Sequence, residues 1–425
     1  MGNRIVERDT GTAAAKSARV GEEEFRKLPF DDKRIYLDGA PPQEKLDLIS
    51  GDIDAKKLTR AMPPQELYWL FKEIGAPDAM KLLGMASPRQ CIFILDMELW
   101  KGWTFLDDKA VEYLGYILSG SEEHFLELLP HLDFNLLSLL LGREIIVAGG
   151  IGDLNTDAER LTDWDHTFDD VFLIKFRNPG HAQVIGSFLE MVCRFDNPLY
   201  TALMESVSGE IDIESEEECY RMKSGRLADL GFPPHDEALE IYSRINPATF
   251  TPGRNKALSQ TGEATTLPVT FLAGKTFLGR VIPLMDSELF RMELIYLINT
   301  ALVADQAHLA DTEQMKSVVE RVYGYLNIAL EYLSQGDETK GAEILTGEYL
   351  KSLFQLGFSI VLGLKFRADK VTDSSYATGK ALSGLKSARP RYYRGLDPDG
   401  IDGYREFREM KDVKKMSDFL TELGV

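Results

Sequence analysis

A basic and aromatic segment near the C-terminus carries the clearest binding chemistry in this sequence. Its arginines and tyrosines are Arg389, Arg391, Tyr392, Tyr393 and Arg394. Guanidinium groups pair with phosphates and tyrosine rings stack on bases, so the segment is a candidate for binding nucleic acid or another anion. The same side chains could instead dock on acidic and aromatic groups of the protein itself. We expect this self-docked arrangement, with Tyr392 or Tyr393 packed.

The charge of the whole chain limits its partners. Between Lys365 and Arg394 there are eight Lys or Arg residues and two Asp residues, whereas the complete chain has a formal net charge of −20 at pH 7. An average surface of this charge repels a phosphate backbone, so nucleic acid is disfavoured as a partner.

A second group of residues has the chemistry of a metal site. The group consists of Asp163, Asp165, His166, Asp169 and Asp170. Clustered carboxylates of this kind suit a divalent cation, so a metal-dependent enzyme with a site near residues 163–170 is an alternative function. A solvated acidic loop explains the same composition without a ligand, and we favour that interpretation.

Motifs for nucleotide binding and nucleophilic catalysis are incomplete. Gly274-Lys275-Thr276 ends like a phosphate-binding loop, but Val269 stands where the first glycine of that loop belongs. Gly357-Phe358-Ser359 lacks the closing glycine of a nucleophile elbow, because residue 361 is Val361. We therefore expect no cofactor and favour a protein that is not an enzyme.

The elements that would position these groups are mostly helices, and the first of them repeat. Pro41-Pro42-Gln43-Glu44 is followed after 22 residues by Pro63-Pro64-Gln65-Glu66, and after another 24 by Ser87-Pro88-Arg89-Gln90. Each run precedes an apolar segment, and proline is tolerated at a helix start because its missing N–H would be unpaired there. Short apolar helices at this spacing cannot bury their faces alone, so we predict a solenoid-like stack.

Composition and periodicity divide a mainly α chain, with at most a small β element, into five segments. We predict a disordered tail at 1–28, a helical-repeat domain at 29–148, an α-rich middle domain at 149–250, a linker at 251–267 and a C-terminal helical domain at 268–425. The middle domain has one strand candidate, 171–176, which follows a glycine-rich segment at 148–152 that we predict to be a loop.

Three local expectations concern the helices of the second half. Ser215 and Glu218 fit a capping box that would start a helix there. A helix is predicted from the Gly336-Asp337 turn to about Phe366, and the final helix is predicted to start near Tyr404.

Apolar runs and cysteine usage indicate a protein of a reducing compartment. The run Ser352–Leu364 has 13 residues, fewer than the roughly 20 needed for a membrane span, so we predict a buried helix and no span. The three cysteines, Cys91, Cys193 and Cys219, are far apart, which argues against a disulfide framework. We predict a cytoplasmic protein, with Cys91 and Cys193 in its core.

Three segments resemble an uncharacterised family of bacterial proteins of unknown function. They are Arg226–Pro233, Glu237–Tyr242 and Arg389–Gly400. The resemblance covers most of the chain and implies no activity. Separately, the proline-started helices of residues 36–145 are similar to the cytosolic helical domain of MgtE-type magnesium transporters and to flagellar-switch helical domains. The chain lacks that transporter's membrane helices, so transport itself is not expected.

No single function follows from these features, and oligomeric state is not indicated. The repeat, the acidic surface and the incomplete catalytic motifs favour a non-enzymatic helical scaffold whose partner is another protein.

Overall fold

The computed structural model describes residues 21–150, 164–208, 213–253, 256, 276–285, 288–307, 311–372, 376–398 and 400–425. The chain is mainly α, as expected, and within the described ranges its sheets have only two strands each. Part of the predicted disordered tail forms helix α1 (Glu22–Lys27), because Phe25 is buried against the core. Most of the predicted linker at 251–267 lies outside the described residues, and the domain boundaries stay a prediction.

The N-terminal part consists of short helices and one hairpin. The helices that follow α1 are α2 (Phe30–Gly39), α3 (Pro42–Ser50), α4 (Ala55–Ala61), α5 (Pro64–Ile74), α6 (Ala76–Leu83), α7 (Pro88–Glu98), α8 (Asp107–Leu118), α9 (Glu122–Leu128) and α10 (Phe134–Glu144). Strands β1 (Trp100–Lys101) and β2 (Thr104–Phe105) form the hairpin between α7 and α8.

The proline-containing runs start helices at the predicted places. Helices α3, α5 and α7 begin at Pro42, Pro64 and Pro88. Helix α7 also has a capping box, in which the Ser87 N–H donates to Gln90 Oε1 at 2.8 Å. The Gln90 amide then donates to the carbonyl of Met62 at 2.7 Å, which ties the start of α7 to the end of α4.

The middle part begins with two paired strands, of which the sequence predicted only the second. Strand β3 (Ile145–Gly149) pairs antiparallel with β4 (Phe172–Phe176), from Ile145 opposite Phe176 to Gly149 opposite Phe172. The strand expected at 171–176 is confirmed, whereas Ala148 and Gly149, expected in a loop, end β3. Gly149 has φ 87°, and a Cβ there would overlap the carbonyl of Val171, so glycine lets the strands pair closely.

The rest of the middle part is helical. It contains α11 (Ala182–Phe195), α12 (Asn197–Ser208), α13 (Ile213–Asp229) and α14 (His235–Ala238). The capping box expected at Ser215 is wrong, because α13 already includes Ile213, two residues earlier.

The C-terminal part packs long helices around α17. Its elements are α15 (Phe277–Val281), α16 (Glu288–Ala304), α17 (Thr312–Ser334), α18 (Glu338–Gly347), α19 (Leu350–Ala368), α20 (Tyr376–Lys386), β5 (Tyr392–Tyr393), β6 (Tyr404–Arg405) and α21 (Met410–Glu422). The single helix expected after Gly336 is two helices, since the chain turns extended at Glu348 and Tyr349. Tyr404 lies in a strand paired with β5 rather than at the start of the last helix.

Helices α17 and α19 approach each other closely through a glycine. A Cβ at Gly357 would overlap the backbone of Tyr325, so only glycine allows this contact. The incomplete nucleophile-elbow motif at Gly357 therefore has a packing explanation. Helix α19 contains the apolar run Ser352–Leu364, most of which is buried.

Among the described residues, no single helix is long and apolar enough to cross a membrane. One sharply bent pair, Glu122–His131 with Phe134–Glu144, passes the same test by length and composition.

Candidate functional site

The basic segment near the C-terminus docks on the protein itself. Arg389 lies 2.7 Å from Asp305, donates to the carbonyl of Ala304 at 2.8 Å, and places its guanidinium 4.9 Å from the centroid of the Tyr242 ring. Tyr242 donates to the same Asp305 carboxylate at 2.7 Å. Arg389 therefore joins the C-terminal segment to a polar network with Tyr242 and Asp305.

A buried arginine of α17 holds the acidic partners of this segment. Arg321 donates to Glu406 at 3.0 and 2.8 Å and also contacts Asp305. Burial raises the pKa of Asp305, although Arg321 and Arg389 oppose that shift. Arg391 reaches Glu406 at a longer 3.6 Å and is half exposed.

The two tyrosines of the segment are packed, as expected. Tyr392 is fully buried, donates to Asp397 at 3.0 Å, and carries the Arg405 guanidinium 3.9 Å from its ring centroid. Tyr393 donates to Asp402 at 3.1 Å. Arg394 begins a 3-10 turn, and its N–H donates to the carbonyl of Gly403 at 2.9 Å.

The expected self-docking is thus confirmed, and binding of an external anion by these residues stays a prediction. Most of the positive charge of the segment already has a partner inside the protein, so these residues would bind an external anion more weakly.

The acidic loop uses its carboxylates for turn structure. Asp165 accepts the N–H of Phe176 at 2.8 Å, and Asp169 accepts the N–H of Phe172 at 3.0 Å. Asp170 has φ 60°, and its N–H donates to a threonine hydroxyl.

His166 lies across β4. Its backbone bonds to Ile174, and its ring packs on Phe168 at 4.2 Å. Asp163 lies outside the described residues. Within the part of the chain that is described, no three His, Cys, Asp or Glu side chains are placed to hold a metal ion, and the metal site stays a prediction.

Cys91 and His124 resemble a nucleophile and its base, but burial makes them inert. Cys91 Sγ lies 3.9 Å from His124 Nε2. Burial raises the pKa of the Cys91 thiol to about 12 and lowers the pKa of His124, so both groups are neutral at pH 7. The core position expected for Cys91 is confirmed, whereas Cys193 is only partly buried.

One face of α13 organises two features that the sequence did not reveal. Side chains that recur every three or four residues lie on this face: Glu216, Tyr220, Lys223 and Arg226. Glu216 accepts the N–H of Phe105 at 2.8 Å and a guanidinium bond from Arg143 at 2.6 Å. These bonds fix the hairpin β1–β2 beside α13.

The first feature is an exposed tryptophan at the tip of this hairpin. Trp103 is 68% exposed, yet its ring centroid lies 4.4 Å from that of Tyr220. Gly102, with φ 59°, makes the tight turn that presents it. Trp103 is therefore held in place while most of its surface faces solvent.

A lysine makes cation–π contacts with the aromatic rings beside Trp103. The Lys223 ammonium lies 5.1 Å from the Tyr220 centroid and 5.6 Å from that of Trp100. Burial lowers the pKa of Lys223 to about 8, although Asp96 opposes that shift. We call Trp103, Tyr220 and Lys223 the Trp103 surface.

The second feature is a cleft one to two turns further along α13. It has a volume of about 640 Å³, within the usual range of small-molecule sites, and is lined by residues of α7, α9 and α13. Its apolar wall is formed by Ile92, Phe93 and Leu230. We call it the α7–α13 cleft.

An ion pair between a half-buried arginine and a buried aspartate lies in this cleft. Arg226 donates to both oxygens of Asp96, at 2.8 and 2.7 Å, and to Asp133 at 3.3 Å. Burial raises the pKa of Asp96, and Arg226 opposes the shift. The rim carries further charged side chains, among them Arg89, Glu127 and Asp229.

The fold and these sites define a mainly helical protein with an exposed aromatic surface and a polar cleft on one helix. Residues 22–425 match a family of unknown function, DUF6178, and the chain belongs to that family. Comparisons with curated proteins and with solved structures give no match. The similarity to MgtE-type transporters and flagellar-switch domains is not shown by these comparisons.

Proposed function

We propose that this protein is a non-enzymatic helical interaction protein of the cytoplasm, which binds another protein through the Trp103 surface. The single observation that carries the proposal is Trp103 itself, an indole that is mostly exposed and yet stacked on Tyr220. Tryptophan, tyrosine and arginine dominate the binding energy of protein interfaces. A ring already ordered loses little entropy on binding, so the surface is preorganised for a partner.

The charge around Trp103 favours an acidic partner segment. Lys101 is exposed on the same hairpin, and the Lys223 ammonium lies 5.1 Å from the centroid of the Tyr220 ring. The chain as a whole is acidic, so this basic and aromatic surface differs from its average surface. A partner segment with an apolar side chain for Trp103 and a carboxylate for the lysines would match it.

The proline-started helices fit a scaffold role in this proposal. Helices that stack in a regular repeat offer extended surfaces to partners. Helices α3, α5 and α7 would then form the support from which the hairpin β1–β2 projects.

Affinity purification from the native cells with quantitative comparison of variants tests the proposal. Trp103→Ala should deplete a defined set of co-purified proteins at least tenfold, because one hot-spot side chain is typically worth about 2 kcal/mol or more. Ile53→Ala is the matched control, since Ile53 is 95% exposed on a different loop. Depletion by neither variant, equal depletion by both, or recovery of only a second copy of the chain would contradict the proposal.

A further inference from the structure

The ion pair in the α7–α13 cleft leaves hydrogen-bond donors available to a ligand. A guanidinium has five N–H groups. In Arg226, two of them donate to Asp96 and one donates to Asp133. The other two have no partner among the residues that the structure describes, and the Arg226 side chain is 33% exposed where it lines the cleft. A ligand in the cleft can therefore accept hydrogen bonds from Arg226 while the ion pair stays intact.

An apolar wall lies directly beside these donors. Ile92 precedes the aspartate of the ion pair by one turn of α7, and Leu230 follows the arginine by one turn of α13. The rings of Phe93 and Phe232 have their centroids 6.1 Å apart, so these two directions meet on the same side of the pair. Ile92 and Leu230 are half-buried and line the cleft. A ligand with one polar end and an apolar body can therefore contact the donors and the wall together.

The charges around Arg226 favour a polar end without charge. One guanidinium already faces the carboxylates of Asp96 and Asp133, so a third carboxylate would be repelled by both. Arg89, the other arginine of the lining, has an interaction of its own and is not a free partner for an anion. Lys223 also acts on Asp96, but it does not line the cleft. An ammonium group would be repelled by Arg226 and has no acceptor to offer it.

We propose that the cleft binds a small uncharged carbonyl compound, an amide or an ester, with a branched or aromatic hydrocarbon group. A carbonyl oxygen accepts two hydrogen bonds, which matches the two remaining N–H groups of Arg226. The hydrocarbon group packs on Ile92 and Leu230. The cleft volume of about 640 Å³ is within the range of small-molecule sites, which are mostly apolar with a few placed polar groups. This site is separate from the Trp103 surface and does not depend on its role.

Titration of the full chain, followed by ligand-observed NMR, tests the proposal with three probes of one shape. Hydrocinnamamide is uncharged, hydrocinnamate is an anion and phenylpropylamine is a cation, and all three carry the same phenyl group. The amide should bind at millimolar concentration. The other two should bind about tenfold more weakly, because one is repelled and the other loses a hydrogen bond to a charged group. Absence of amide binding, or binding of either charged probe as tight as that of the amide, would overturn the proposal.

A matched pair of aspartate variants tests the charge argument. Asp133→Asn removes one of the two carboxylates from Arg226, and asparagine can still accept the Asn135 N–H that caps α10. The affinity for the amide relative to the carboxylate should fall about fivefold, the size usual for a partly exposed charge pair. Asp236→Asn changes an exposed carboxylate outside the cleft and should keep the ratio of the parent. An unchanged ratio in Asp133→Asn, or equal changes in both variants, would contradict the proposed contact with Arg226.

A pair of leucine variants tests the apolar wall. Leu230→Ala should weaken amide binding about threefold or more, because methyl groups are lost from the contact. Leu239→Ala changes a leucine that is 45% exposed outside the cleft, and this variant should bind as the parent does. Trp103→Ala should also bind as the parent does. Equal affinities of Leu230→Ala and Leu239→Ala, or loss of amide binding in Trp103→Ala, would place the ligand elsewhere and overturn the proposal.

Discussion

The guanidinium of Arg226 binds both carboxylate oxygens of Asp96, at 2.8 and 2.7 Å, and thereby joins α13 to α7. The two residues are 130 positions apart in the chain, and Asp96 is buried. The same helix carries Lys223 and Tyr220 about one and two turns earlier, so this ion pair also fixes the position of the Trp103 surface.

Removing Arg226 leaves a buried carboxylate without its main partner. We expect Arg226→Ala to lower the free energy of unfolding by about 3 kcal/mol near pH 7, the usual cost of an uncompensated buried charge. Burial already raises the pKa of Asp96 above its ordinary value, and loss of Arg226 raises it further. When the carboxyl pKa is higher in the folded state than in the unfolded state, stability falls as the pH rises from the unfolded-state pKa to the folded-state pKa. The stability of Arg226→Ala should therefore approach that of the parent at acidic pH, where Asp96 is protonated.

Urea denaturation of the parent and Arg226→Ala at several pH values measures this. A difference between the two proteins that stays constant with pH would contradict the role assigned to Asp96. Asp229→Asn, one turn along the same helix but exposed, should differ little from the parent.

Lys223 predicts a pH effect of its own. Its pKa is about 8 in the folded protein, below the ordinary 10.5, so the unfolded chain binds more protons between these values. The contribution of Lys223 to stability therefore rises with pH across this window and is lost as pH falls through 8. Urea denaturation from pH 7 to 10 gives the free energy of unfolding of the parent and of Lys223→Met. The value for the parent minus the value for the variant should increase with pH. A flat or decreasing difference would show that the amine is not desolvated.

Two glycines of α19 give an internally controlled test of the α17–α19 contact. Gly357→Ala should destabilise the protein by roughly 1–3 kcal/mol or more, because a Cβ there overlaps the Tyr325 backbone. Gly363→Ala on the same helix has open space and should be neutral or stabilising by up to about 1 kcal/mol. Thermal melting of both variants measures the effect, and equal melting temperatures would disprove the close approach.

The network around the basic segment predicts an order of effects. Arg321→Ala leaves Asp305 and Glu406 buried, so it should cost about 3–5 kcal/mol. Arg391→Ala breaks one long contact of a half-exposed side chain and should cost less than about 1 kcal/mol. Arg389→Ala should lie between them and make the C-terminus more sensitive to proteases. Equal effects of all three substitutions in chemical denaturation would contradict this order.

The sequence revealed features that depend on neighbours in the chain. Proline position predicted the starts of α3, α5 and α7, since the cost of a missing N–H is local. The pairing of strong charge with tyrosines predicted that the C-terminal segment folds back. The acceptors Asp305 and Glu406 could not be named, because nothing local relates them to Arg389 and Arg391.

The candidate sites were missed for the same reason. The α7–α13 cleft joins residues near 90, 130 and 230, and only tertiary packing brings them together. The segment Trp100–Trp103 did contain a signal, a glycine turn between aromatic residues. That signal becomes informative only with Tyr220, on which Trp103 packs. The periodicity of α13 does not indicate that Tyr220 lies next to the hairpin.

A photo-crosslinking amino acid in place of Thr104, which is exposed next to Trp103, tests most directly whether the Trp103 surface binds another protein. On irradiation in the native cells we expect a discrete crosslinked species that contains this chain and one other protein, and that disappears when Trp103→Ala is added. The same amino acid at position 53 should give no such species. Crosslinks that are absent at 104, equally strong at 53, unchanged by Trp103→Ala, or formed only between two copies of this chain would contradict the proposed role of Trp103.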